Sequence, residues 1–138
     1  MTFLVDRLGH VARQLDHLQR IRPRVRSVAD LEADTGLHNE VMFALFVICQ
    51  QVIDIAAELS ARRGAAVDTY RKAIQNLAQD PRFPPDLVHE LERLPGFRNV
   101  LVHEYLELDL ARAVEALDRL APVERFVAIV RDIEAAGA

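Results

Sequence analysis

The sequence has almost none of the residues that build disulfide-rich or zinc-binding domains. Cys49 is the only cysteine of 138 residues, so the chain can form neither an internal disulfide nor a zinc finger built on cysteine pairs. It lies within the apolar run VMFALFVIC, where we expect a buried, unreactive thiol rather than a nucleophile. Tryptophan is absent and aromatic residues make up only 6% of the chain, so no stacking platform for RNA bases is evident.

Long apolar runs are also missing. The longest, VMFALFVIC, ends at Gln50 and Gln51 and is well short of the ~20 residues that a membrane-spanning helix needs. The N-terminal stretch MTFLVDRLGH has no basic region followed by an apolar segment and a small-residue cleavage site. We therefore expect a cytoplasmic protein that has no membrane partner.

Lysine is nearly absent, and positive charge is carried almost entirely by arginine. The formal net charge is −4 and Lys72 is the only lysine. Non-specific binding to nucleic acid depends on the number of phosphates that are neutralised, so a protein that coats DNA is not expected. The arginines cluster in IRPRVRS and at a helix end, where a solvated edge is favoured over a phosphate-facing rim. The clustered residues are Arg20, Arg22, Arg24, Arg26, Arg62 and Arg63.

What the sequence does contain is helical periodicity. The first helix is predicted to run to about Ile21, where Pro23 stops it. Its apolar stripe consists of Leu4, Leu8, Val11, Leu15 and Leu18. A long central helix is predicted from about His38 to Arg63, and its apolar residues occupy more than one face, which leaves one side available to a second subunit. Its polar stripe consists of Gln50, Gln51, Asp54 and Glu58.

The remaining chain continues the helical pattern. A third helix is expected at positions 69 to 79, capped by Asp68, and PPDLVHELERL reads as a short fourth. The last long helix should begin after the N-cap Asp109 and kink or split at Pro122. No strand-like alternation is present. The predicted fold is one all-α domain over residues 1–138, an antiparallel up-and-down bundle of about five main helices.

Polar residues capable of chemistry crowd into GFRNVLVHEY. Asn99 and His103 are four residues apart and share one helix face, whereas Arg98 and Tyr105 are seven apart and share an adjacent face. We expect Leu101 and Val102 to occupy the inner arc. A helix that starts near the preceding proline would place the arginine where free backbone N–H groups favour an anion, so the segment suggests a phosphate site.

Each of these residues also has a purely structural interpretation. Arg98 would pair with Glu104 or another acid, and Asn99 would cap a helix. His103 would be a satisfied interior histidine and Tyr105 a core aromatic. The histidines His10 and His17 share a face of the first helix, but they have no accompanying cysteine or paired carboxylate, so we interpret them as surface residues rather than as a metal site.

Arg98, His103 and Tyr105 match the R-x4-H-x-Y motif of the HEPN superfamily. The sequence resembles the HepT family over roughly residues 35 to 135. The resemblance is carried by the segment from YRKAIQNLAQ through PGFRNVLVHEYLELDL and by VIDIAAEL upstream. The resemblance implies a homodimeric, metal-independent endoribonuclease that needs no cofactor and is the toxin of a type II or type VII-like toxin–antitoxin system. It also implies a cognate nucleotidyltransferase antitoxin that adenylylates Tyr105. The alternative is a non-catalytic, nucleotidyltransferase-associated substrate-binding protein.

The motif residues suit cleavage of RNA, whose 2′-hydroxyl is the nucleophile. His103 can exchange a proton near neutral pH, Arg98 can bind phosphate oxygens in a bidentate manner, and Asn99 can orient either group. One histidine does not supply both an acid and a base, but a two-fold dimer brings two motifs together. Asp54 can contact and orient Arg98 or His103 without touching the substrate, although an ordinary acid on a helix surface is the simpler interpretation.

Overall fold

A computed structural model of the chain describes residues 2–103 and 109–137, and every regular element in these ranges is helical. The α-helices are α1 (Thr2–Ile21), α2 (Val28–Ala33), α3 (Thr35–Arg62), α4 (Tyr70–Gln75), α5 (Pro85–Leu91), α6 (Leu94–His103), α7 (Leu110–Leu117) and α8 (Ala121–Gly137). Single turns of 3-10 helix follow α1 and α4. The predicted all-α antiparallel bundle is confirmed. The helices outnumber the prediction because α2 is an extra short element and the predicted last helix is divided.

Helix α1 ends where the sequence predicts. Pro23 lies in the 3-10 turn at Arg22–Arg24, which prevents α1 from continuing. The five residues of its apolar stripe are all buried. They face α3 and α8, so the first helix contributes one wall of the core.

Helix α3 is the central element of the bundle. Asp34 caps its start, because the Asp34 carboxylate accepts a hydrogen bond of 3.0 Å from the Leu37 amide. It ends before Gly64, whose φ of 72° lies in the left-handed region that favours glycine. Within the described ranges α3 alone is long and apolar enough to suit a bilayer, but it packs against α1, α2, α4, α6 and α7. Its apolar character is that of a core helix.

Cys49 occupies this core as predicted. The residue is 2% exposed, and burial raises the pKa of its thiol to about 12. A thiol in this setting stays protonated at neutral pH and is a poor nucleophile.

The predicted helix ends are confirmed at Asp109 and Pro122, but one cap is wrong. The Asp109 carboxylate accepts a hydrogen bond of 2.9 Å from the Ala111 amide, and Pro122 lies in the first turn of α8, which separates α8 from α7. The cap of α4 is Thr69 rather than Asp68. The Thr69 hydroxyl accepts from the Lys72 amide at 3.0 Å, and hydroxyl and carboxylate residues compete for such positions.

The arginine clusters form ion pairs at the surface. Arg20, Arg22, Arg24 and Arg26 pair with Asp16, Asp118, Asp34 and Asp30, respectively. These ion pairs favour the interpretation of the clustered arginines as solvent-exposed surface residues over their interpretation as a phosphate-binding rim. A more buried cluster joins the end of α3 to the segment before α5, where Asp80 accepts hydrogen bonds from Arg82 and pairs with Arg63. These contacts, chiefly those from Arg82, lower the pKa of the Asp80 carboxyl to about 2.

Candidate active site on α6

Helix α6 carries the described part of the motif and packs against α3. Leu101 is 6% exposed and anchors the helix to the core, together with the buried Pro95. Leu101 and Val102 are both predicted to face the core, but only Leu101 does, because Val102 is 42% exposed. Successive residues lie about 100° apart on a helix, and the stripe of α6 that faces the core includes Leu101 but not Val102.

Arg98 is half-buried and is held by two amide groups. Its Nε donates to the Gln50 Oε1 at 2.9 Å, and its Nη1 donates to the Asn99 Oδ1 at 3.1 Å. Its guanidinium carbon lies 5.2 Å from the ring centroid of Tyr70 and 5.9 Å from that of Phe46. The charge is thus oriented by neutral groups and aromatic faces.

No ion pair of Arg98 with an acid is found in the ranges that the structure describes. The interpretation in which Arg98 pairs with a neighbouring acid is therefore not supported there, and Glu104 lies outside the described residues. Within the described residues, no carboxylate neutralises the Arg98 guanidinium, which can therefore meet an anionic ligand.

Asp54 lies behind this contact without touching Arg98. Its Oδ1 accepts a hydrogen bond of 2.9 Å from the Gln50 Nε2, and its Oδ2 accepts one of 3.0 Å from Arg7 Nη1. The same Arg7 nitrogen donates to the Gln51 Oε1 at 2.7 Å. Asp54 is consequently linked to Arg98 through one amide, and its ion-pair partner is Arg7 on α1.

The other motif residues lie on the exposed side of α6. Asn99 is exposed and contacts Arg98, and His103 is exposed at the end of the helix. His103 is therefore not the satisfied interior histidine of the structural interpretation. No hydrogen bond or ion pair between the side chains of Arg98 and His103 is found among the described residues. Tyr105, the expected adenylylation site, lies outside the described residues.

Helix α6 starts next to Pro95, as predicted, but Arg98 does not lie among its free backbone N–H groups. Helix α6 begins at Leu94, so Arg98 is its fifth residue, and the Phe97 amide just before it already donates to the Arg93 carbonyl at 3.1 Å. Only the first four N–H groups of a helix lack partners within it. The arginine side chain, rather than the helix terminus, is therefore the candidate group for binding an anion.

Several residues of the site were not predicted for it. The sequence indicates Gln50 and Gln51 only as part of the polar stripe on α3, and it carries no signal for Arg7 or Tyr70 in this role. The histidines His10 and His17 contact Arg13 and Glu40 separately. No group of three or more potential metal ligands occurs in the described part of the chain.

The comparison with protein families gives a match over most of the chain. The family described as ribonuclease HepT-like matches residues 12–130. The mRNA nuclease HepT of Shewanella oneidensis is 23% identical over 130 residues, which cover 93% of this chain and 96% of that protein.

Solved structures share the fold. The tri-AMPylated HEPN toxin of Shewanella oneidensis, in complex with an MNT antitoxin, superposes with a TM-score of 0.80 at 23% identity, over 94% of this chain and 96% of that one. A mutant of the MntA–HpeT toxin–antitoxin gives a TM-score of 0.81 at 21% identity, over 94% of this chain and 98% of that one. At such identities these similarities establish the common bundle.

Proposed function

The chain belongs to the ribonuclease HepT-like family, and from this premise we propose that it is the toxin ribonuclease of a toxin–antitoxin pair. The relative in Shewanella oneidensis is an mRNA nuclease, and a HEPN toxin from the same organism forms a complex with an MNT antitoxin. The family assignment agrees with the resemblance carried by the R-x4-H-x-Y motif. The proposed location of the protein is the cytoplasm, where mRNA is found.

The observation that carries this proposal is the setting of Arg98. Its Nε is bound by Gln50 and its faces lie beside Tyr70 and Phe46, whereas no carboxylate in the described ranges neutralises it. A guanidinium held in this way can bind two oxygens of a scissile phosphate and stabilise the negative charge that grows on them. Arg98 is the proposed electrostatic catalyst.

His103 is the proposed acid or base. It is exposed at the end of α6, so a substrate can reach it, and a histidine can take the proton of the 2′-hydroxyl or protonate the leaving 5′-oxygen. Asn99 contacts Arg98 and is proposed to orient it or the phosphate. The ribose hydroxyl is the nucleophile, so cleavage requires no metal ion and produces a 2′,3′-cyclic phosphate.

A homodimer would supply the second proton-transfer group. In-line cleavage uses both an acid and a base, and a two-fold axis beside α6 would bring two copies of His103 to one cleft. The helices of the site carry exposed apolar side chains that suit such an interface, since Phe43 on α3 is 62% exposed and Val102 lies on α6. The proposed dimer uses these flanks.

The proposed partner is a nucleotidyltransferase antitoxin. It would transfer an adenylyl group from ATP to the hydroxyl of Tyr105, two residues beyond His103, with release of pyrophosphate. The added phosphate would be attracted to Arg98. The related toxin that is AMPylated in complex with its MNT antitoxin supports this form of control.

The test is cleavage of a defined single-stranded RNA by the purified chain in the presence of EDTA. We expect cleavage to persist and the products to end in 2′,3′-cyclic phosphate, because the motif contains no carboxylate cluster for Mg²⁺. Cleavage that stops in EDTA and returns with Mg²⁺ would contradict the metal-free mechanism. An absence of cleavage under all conditions, together with RNA or nucleotide binding, would instead support a non-catalytic substrate-binding protein.

A further inference from the structure

Three hydrogen bonds connect α1 to Arg98 through α3. Arg7 Nη1 donates to the Asp54 Oδ2 at 3.0 Å, Gln50 Nε2 donates to the Asp54 Oδ1 at 2.9 Å, and Arg98 Nε donates to the Gln50 Oε1 at 2.9 Å. We propose that Gln50 and Arg7 are positioning residues, which aim the Arg98 guanidinium and keep its charge free for the substrate. This role rests on the proposed ribonuclease function of the site.

Gln50 is the group that orients Arg98. A glutamine amide presents an acceptor on one side and two donors on the other, and a carboxylate is an acceptor only. Asp54 therefore fixes the amide with Nε2 toward itself and Oε1 toward Arg98. The reversed amide would direct its N–H groups at the donors of the guanidinium. A single carboxylate thus determines which way the amide faces.

Arg7 has an electrostatic task in this arrangement. It neutralises Asp54, and it is held in place by the Gln51 Oε1 at 2.7 Å and by the Phe3 ring, whose centroid is 4.2 Å from its guanidinium carbon. Without Arg7, an uncompensated carboxylate would remain one side chain away from Arg98. The carboxylate would then compete with the substrate phosphate for that cation. Arg7 on α1 consequently protects the charge of Arg98 on α6.

The result is a guanidinium that is anchored on one edge. Gln50 occupies its Nε, and in the described ranges its only other hydrogen bond is from Nη1 to Asn99. Nη2 therefore has no partner there, and the Nη1–Nη2 edge can meet phosphate oxygens. A neutral amide anchors Arg98 without neutralising its charge. A carboxylate at position 50 would anchor Arg98 and also neutralise it.

The first variants test the amide. Gln50→Leu should lower kcat/KM by roughly tenfold to a hundredfold, which is the scale expected when a catalytic group loses its alignment. Gln50→Glu should lower it at least as much, because the new carboxylate would bind Arg98. Retention of wild-type activity by Gln50→Glu would overturn the proposal.

The second set tests charge protection by a double-mutant cycle. Arg7→Met should lower kcat/KM by about tenfold or more, because the uncompensated Asp54 carboxylate would compete with the substrate phosphate for Arg98. Adding Asp54→Asn should restore part of the lost activity, because it removes the charge that competes for Arg98. The restoration is incomplete because an asparagine amide can also donate and fixes Gln50 less firmly than a carboxylate does. Arg7→Lys should retain most activity. The matched control is Arg20→Met, which removes an exposed arginine of the same helix that pairs with Asp16 and should change nothing.

A second readout does not depend on catalysis. The Arg98 Nε–H proton, assigned by its disappearance in Arg98→Ala, should exchange slowly with water in the wild type. Its exchange should be much faster in Gln50→Leu and Arg7→Met and intermediate in Arg7→Met/Asp54→Asn. If the wild type does not cleave RNA, the proposed function fails while the exchange measurement still tests the positioning. Additive losses in the cycle, or unchanged exchange in all variants, would overturn the inference.

Discussion

Replacing His103 with alanine should remove catalysis while leaving the fold intact. Loss of a general acid or base typically costs ~10²–10⁴-fold in rate. His103 is exposed at the end of α6, and surface substitutions of this kind change the free energy of unfolding by about 0.5 kcal/mol or less. The variant should therefore be nearly inactive and as stable as the wild type.

Arg98→Ala provides the contrast because its side chain also has a structural role. It loses one hydrogen bond to Gln50, worth about 1 kcal/mol, and a cation–π contact with Tyr70 at 5.2 Å, worth about 0.5–1 kcal/mol at a partly exposed site. The more distant Phe46 ring, at 5.9 Å, adds little. We expect a loss of about 1–2 kcal/mol in stability, together with a loss of ~10²–10³-fold in rate through missing charge stabilisation.

The assay pairs initial rates of RNA cleavage with urea unfolding followed by circular dichroism, so that activity is expressed per folded molecule. His89→Ala is the matched control, since His89 is an exposed histidine on α5 outside the site. The reasoning would be refuted if His103→Ala unfolded readily while its folded fraction cleaved RNA at the wild-type rate. That outcome would make His103 a structural residue.

Three further predictions concern regulation, acid stability and thiol chemistry. Tyr105→Phe should stay toxic when an active nucleotidyltransferase partner is co-expressed, and growth protection equal to that of the wild type would exclude Tyr105 as the essential acceptor. Hydrogen bonds from Arg82 and Arg63 hold the pKa of Asp80 at about 2, below that of an unfolded aspartate, so its stabilising effect is full at neutral pH and is lost as the pH falls toward 2. Asp80→Asn should lower the free energy of unfolding by about 1–2 kcal/mol at pH 7, after allowance for solvent screening. Near pH 2 the urea unfolding curves of the variant and the wild type should approach each other. A difference in stability that does not change with pH would contradict this prediction. Cys49, whose pKa burial raises to about 12, should react with a thiol reagent only in urea, and rapid labelling of the native protein would disprove its burial.

Much of the fold follows from local sequence pattern. The stripe from Leu4 to Leu18 specified α1 and its buried face, and Pro122 marked the boundary between α7 and α8. These features depend on residues within one or two helical turns of each other. The predicted cap of α4, Asp68, is wrong because Asp68 and Thr69 are adjacent and both can cap a helix. Only the backbone geometry distinguishes them.

The site was predictable only in part, because its supporting contacts are distant in sequence. The motif predicted Arg98, Asn99 and His103 as site residues, and the polar stripe predicted Asp54 as a support, which is linked to Arg98 only through Gln50. Helical spacing does not reveal that Arg98 bonds to a residue 48 positions away or that Arg7 bonds to one 47 positions away. Gln50 and Arg7 gain their roles only from the packing of three helices.

The order in which these helices leave the ribosome has a consequence for the cell. Chains are made from the N-terminus at ~5–20 residues per second, so α1 and α3 exist before α6. These two helices pack directly on each other, and the Arg7–Asp54 pair with its attached Gln50 can form while Arg98 is still untranslated. On the proposed function, the catalytic arginine docks late into an acceptor that is already assembled. In this proposal, a nascent chain cannot cleave RNA until its sixth helix has emerged and Arg98 has docked.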